Sequence, residues 1–90
     1  MKKMELIKED IKNMLGAKKD IIDSIWSETG IPVEEKVRLM NEEITLFYGY
    51  LIAMRNIEAI EVNEEYELRE ELRNYQLDVI CEYEEEKIEL

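Results

Sequence analysis

Two long stretches of apolar residues at three- and four-residue spacing meet at Thr29-Gly30-Ile31-Pro32, and Pro32 is the only proline in the 90-residue chain. That punctuation constrains the fold more than any other feature. Gly30 suits the left-handed position that ends a helix, and Pro32 cannot continue the helix before it but can open the next. A connection this short turns the chain back on itself, so the two flanking helices are predicted to form an antiparallel hairpin. With only three glycines, the chain lacks the turn residues of an all-β fold.

Before the turn, Met4, Ile7, Ile11, Met14, Ile21 and Ile25 follow a 3-4 repeat broken at Lys18, with Leu15, Ile22 and Trp26 widening the stripe. This predicts a helix over about residues 3–27. Gly16 in its middle suggests a kink, a division into two short helices or a close approach by a neighbour. Trp26 is expected to plug the core over the turn.

After the turn, Val33, Val37, Met40, Ile44, Phe47, Leu51 and Met54 form one stripe, and Leu46, Tyr50, Ala53, Ile57 and Ile60 form a second. They predict a helix over about 32–60. A helix apolar on two faces needs two neighbours. Leu46, Tyr50, Ile57 and Ile60 are therefore candidates for self-association as a homodimer.

The next boundary is poorly marked, because no glycine or proline follows Gly49. Asn63 is a plausible N-cap, with Glu64 and Glu65 in the favourable first turn. A third helix is predicted over about 64–86, with Leu68, Leu72, Tyr75, Val79 and Tyr83 on its core face. Cys81, beside Ile80, is expected to be a small core residue, and as the only cysteine it can form no internal disulfide. The expected architecture is all-α: a single domain made of a helical hairpin and a third, acidic helix.

Charge is distributed unevenly along this framework. Residues 64–90 carry eleven acids against three bases, a net of −8, whereas the first 19 residues hold six lysines. Glu64, Glu67, Glu71, Asp78, Glu82, Glu85 and Glu89 recur at near-helical spacing and predict an acidic ridge. Such a ridge repels nucleic acid directly and attracts basic proteins, including those whose own site is shaped for phosphates. The plain alternative is a solvated helix face.

Catalytic chemistry has little to draw on. A chain without histidine cannot form a Ser-His or Cys-His pair, a Cys/His zinc site or the Glu-x-x-His di-iron motif. No Gly-rich phosphate loop is present. Glu42 and Glu43 are the nearest approach to an acid–base or Mg²⁺ pair, and on an amphipathic helix they read as a solvated face. No catalytic residue, cofactor or metal is expected. The longest uncharged run, Ile44–Met54, has 11 residues, short of the roughly 20 a membrane helix needs. Glu5, Lys8, Glu9 and Asp10 interrupt any leader-like apolar run after Met-Lys-Lys, so a cytosolic protein without membrane contact is expected.

Gly30-Ile31 followed by Asn41-Glu42-Glu43-Ile44-Thr45 resembles the small sporulation-regulating aspartyl-phosphate phosphatases of the stage zero sporulation protein E type. Those are two-helix proteins with a Gly-apolar turn and Ser-Gln-Glu-Leu-Asp in the second helix. Glu43 is identical and Ile44 conservative, one extra residue separates turn and motif, and the family's critical acidic position falls on Thr45. The resemblance implies binding of a response-regulator-like partner with the phosphatase chemistry lost.

The residues themselves point to a small, acidic, non-enzymatic protein that binds and inhibits or regulates a basic or nucleic-acid-binding protein, as a bacterial or phage-encoded modulator would. The alternative is a helical assembly module that self-associates through its second helix.

Overall fold

The computed structural model describes the backbone of residues 2–89 and the side chains of residues 7–82. It contains three helices, α1 (Lys2–Ser27), α2 (Val33–Asn56) and α3 (Val62–Glu89), and no strand among the described residues. Each helix packs on both others. Lys18 meets Glu43 and Lys36 meets Trp26, so α1 and α2 run antiparallel. Asn41 meets Gln76 and Arg55 meets Glu65, so α2 and α3 do too. Lys8–Glu64 and Asp23–Tyr75 then set α1 and α3 parallel. The result is an up-down-up bundle 53 Å long.

The core lies where the first α2 stripe meets both neighbours. Met40, Ile44, Phe47 and Leu51 are buried against Ile11, Leu15 and Ile22 of α1 and Leu72 of α3. Phe47, Met40, Leu51, Ile22 and Leu72 have no exposed surface. Each such burial is worth about 1.5–3 kcal/mol relative to exposure. Ile7, Met14, Ile25, Val79 and the half-buried Trp26 pack around this centre, whereas Val33 is exposed. Met4 and Tyr83 lie outside the described side chains.

Lys18 interrupts the apolar repeat of α1 for a physical reason. Its ammonium donates to a Glu43 carboxylate oxygen at 2.6 Å across the α1–α2 seam. The Lys18 side chain is only 13 % exposed, so removing either partner would strand a poorly hydrated charge. Gly16 does not divide α1 into two helices, and no neighbour approaches the position a Cβ would take.

The first turn follows the sequence reading with a shift of one residue. Gly30 adopts φ +85°, one place later than the expected C′ slot, and Pro32 is the extended N-cap of α2 rather than its first helical residue. Lys36 reaches back from α2 and donates to the Trp26 carbonyl at 2.7 Å, with its ammonium 5.6 Å from the indole centroid. A carbonyl left open at the end of α1 thereby gains a cationic cap.

The second turn corrects the expected boundary. Helix α2 stops at Asn56, not near Ile60, because Glu58 takes the left-handed conformation at φ +61°. The Glu58 amide donates to Arg55 O and the Ala59 amide to Met54 O, both at 2.9 Å. These are the paired bonds of a Schellman motif built on glutamate instead of glycine. Ala59 and Ile60 then drop into the core. Asn63 does not cap α3. Glu61 occupies that position, its amide donating to a Glu64 carboxylate oxygen at 3.3 Å, which is the backward half of a capping box. Cys81 is exposed, not buried. It follows Asn74 by seven residues on the outer face, one position off the stripe that carries Ile80.

A non-glycine residue in the left-handed region costs about 1 kcal/mol. Glu58→Gly is therefore expected to stabilise the protein by about 0.5–1 kcal/mol, read as a higher urea midpoint at unchanged m-value.

Candidate protein-binding surfaces

The two oppositely charged stretches of the sequence lie on adjoining flanks of the bundle. Glu64 pairs with Lys8 at 3.8 Å and Glu71 with Lys19 at 2.8 Å. Between them, Glu67 and Lys12 border a cleft of about 180 Å³ floored by Ile11, Ile60 and Leu68. The upper half of the acidic ridge therefore faces the basic helix of its own chain. Exposed pairs of this kind contribute about 0.2–1 kcal/mol each, but they neutralise two of the three ridge carboxylates in this half, Glu64 and Glu71. Lower down, Asp78 and Glu82 are exposed and form no ion pair among the described residues. Glu85 and Glu89 belong to α3, and their side chains lie outside the described residues.

Where the ridge passes the end of α1, Tyr75 donates its hydroxyl to an Asp23 carboxylate oxygen at 2.7 Å. The Lys19 ammonium sits 5.4 Å from the same ring. The bond to Asp23, together with burial and the charges of Asp23, Asp20 and Glu82, raises the Tyr75 phenol to about 12.

The four self-association candidates are divided. Leu46 is 62 % and Ile57 63 % exposed. Tyr50 is half-buried, stacks on Phe47 with ring centroids 6.3 Å apart, and has its phenol pushed up by burial and by the Asp10 charge. Ile60, only 5 % exposed, belongs to the core and is not available for a contact between chains. Gly49 and Ala53 lie between Leu46 and Ile57 on the exposed side of α2. Nothing lies within 4 Å of where a Gly49 Cβ would be.

On the opposite flank, facing α3, the structure assembles a cluster that the sequence reading did not single out. Glu65 is buried, with Arg55 at 3.4 Å and Arg69 at 3.5 Å from its carboxylate. The Arg69 guanidinium lies 4.8 Å from the Tyr48 ring centroid. The i, i+4 spacing of Glu65 and Arg69 was a visible signal; the long-range contribution of Arg55 was not. Tyr48 and Tyr50 do point to different sides of α2, as their spacing requires.

Glu42 and Glu43 are also drawn apart. Glu43 pairs with Lys18, while Glu42 and Glu35 share Arg38 on the surface, whose hydrogen bond holds the Glu35 carboxyl below its usual range. Among the described residues no three potential metal ligands gather. Thr45 sits on α2 and bonds back to the Asn41 carbonyl at 2.9 Å. No described helix is long and apolar enough to cross a membrane.

The chain matches no protein-family model, and no curated protein or solved structure is significantly similar to it.

Tyr75 provides a pH test of the α1–α3 contact. Its folded pKa is raised above the ordinary phenol value to about 12, so the stabilisation is complete below the unfolded value and is lost as pH rises through the folded one. In an absorbance titration of tyrosinate, one phenol is expected to ionise near the top of the alkaline range. Asp23→Asn should return it toward the ordinary value and lower the alkaline unfolding midpoint.

Proposed function

We propose that this chain is a non-enzymatic helical assembly module that self-associates through the outer face of α2. The observation that carries this reading is the exposure of Leu46 and Ile57, 62 % and 63 %, on one stripe with Gly49 and Ala53 between them. Large exposed apolar side chains along a single helix face favour contact with another protein surface. A mid-helix glycine costs about 1 kcal/mol against alanine, and no other helix of the chain comes within 4 Å of where a Gly49 Cβ would be. A second α2 approaching closely at Gly49 and Ala53 would offset the cost, with Leu46 and Ile57 packing on either side. The missing histidine motivates the non-enzymatic reading. A cytosolic setting suits the single cysteine, which can remain a free thiol there.

A second reading keeps the regulatory role, with a basic protein as the partner. It is favoured by the exposed Asp78 and Glu82 at the end of the ridge that α1 lysines do not neutralise. An inhibitor of a nucleic-acid-binding protein would belong to this class.

Sedimentation equilibrium separates the readings. The protein is expected to sediment as a dimer at micromolar concentration, and Leu46→Glu with Ile57→Glu to shift it to monomer without loss of helicity, since both positions are exposed. Contact through apolar groups should persist in high salt, whereas docking on carboxylates weakens as the screening length contracts. A wild-type monomer across the accessible concentration range would overturn self-association and leave the basic-partner reading.

A further inference from the structure

The groove between α2 and α3 carries a chemistry opposite to that of the chain as a whole. Along α3, Val62, Tyr66, Arg69, Arg73 and Leu77 follow 4-3-4-4 spacing and form one stripe. Val62, Tyr66 and Leu77 are 60 %, 64 % and 47 % exposed. Along the facing flank of α2 run Asn41, Thr45, Tyr48, Ile52 and Arg55. Between Asn41, Thr45 and Tyr48 on one side and Arg73, Gln76 and Leu77 on the other lies an open groove of about 330 Å³.

In a protein of net charge −11, this flank holds Arg55, Arg69 and Arg73. Glu65 is the carboxylate paired with the first two. That pairing is loose: Glu65 Oε1 and Arg69 Nε are sealed from water without a hydrogen-bond partner. Arg73 is exposed and has no ion pair among the described residues, although Glu70 stands one turn before it. Tyrosine and arginine flanked by exposed aliphatic residues is the composition that concentrates binding energy at protein interfaces.

We propose that the α2–α3 groove docks an acidic amphipathic helix of another protein. Carboxylates on that helix four residues apart would meet Arg69 and Arg73, which share the same spacing, and its apolar positions would cover Val62, Tyr66 and Leu77. Charge complementarity decides the sign of the partner: a basic helix would oppose the guanidiniums here and belongs on the other flank. A nucleic acid would match the arginines but leave the exposed Val62 and Leu77 uncovered, whereas the apolar positions of an amphipathic helix cover them. The site is independent of the outer α2 face assigned to self-association.

The test uses the full chain carrying Leu46→Glu and Ile57→Glu, so that its outcome does not depend on dimer formation. The probe is a fluorescein-labelled peptide of two Leu-Glu-Glu-Leu-Leu-Glu-Glu heptads; its Lys-for-Glu counterpart and a thymidine oligonucleotide are the controls. Fluorescence anisotropy is expected to show saturable binding of the Glu peptide alone. Arg73→Gln should weaken it at least about tenfold, as should Tyr66→Ser, both being exposed positions whose replacement leaves the core intact. Arg69→Gln should weaken it further, with circular dichroism reporting whether the Glu65 contact is needed for folding. Absence of binding by the Glu peptide, equal binding by the Lys peptide, or retention of affinity in both Arg73→Gln and Tyr66→Ser would overturn the proposal. Displacement of the Glu peptide by the oligonucleotide would reassign the groove to nucleic acid.

Discussion

The burial of one α2 stripe by two helices at once is the constraint on which the rest of the structure depends. Met40, Phe47 and Leu51 are fully enclosed because Ile11, Leu15 and Ile22 of α1 and Leu72 of α3 pack on that stripe from different sides. Once that stripe is committed, every other position on α2 has a determined place. Glu43 and Tyr50 turn toward α1, and Tyr48 and Arg55 turn toward α3. Leu46, Gly49, Ala53 and Ile57 are left facing away from both. The same geometry makes α1 and α3 neighbours, which brings lysines of one against acids of the other.

Much of the fold was legible from periodicity and from one turn. Gly30 and Pro32 marked the first reversal because each has a backbone preference that few residues share. The second reversal was hidden because Glu58, a residue with no such preference, takes the left-handed position. It is held there by paired backbone bonds and by burial of Ala59 and Ile60. Those are tertiary gains that local sequence does not display. For the same reason spacing alone puts Ile60 on an open strip, whereas in the structure it closes the core. Thr45, where the sporulation-phosphatase resemblance places that family's acidic position, donates its hydroxyl to the Asn41 carbonyl of its own helix.

The surfaces were less legible than the core. A count of acids marked α3 as charged, but it did not show that Glu64 and Glu71 would meet Lys8 and Lys19. Nor did it separate the two flanks of α3, which differ in kind. One flank is acidic and faces the lysines of α1; the other carries arginine and tyrosine and borders α2. Helical spacing placed each residue on its stripe. Only the packing of three helices showed which stripe is shared within the chain and which is left for others.

Cys81 offers the most direct test of the proposed self-association, because it is exposed and is the chain's single thiol. A nitroxide attached there gives each chain one spin, so any dipolar coupling between spins must arise between chains. Double electron–electron resonance is expected to show a defined inter-spin distance in the wild-type protein and to lose it when Leu46 and Ile57 are replaced by Glu. A signal of background decay alone in the wild type, or a coupling that survives both replacements, would contradict assembly through the outer face of α2.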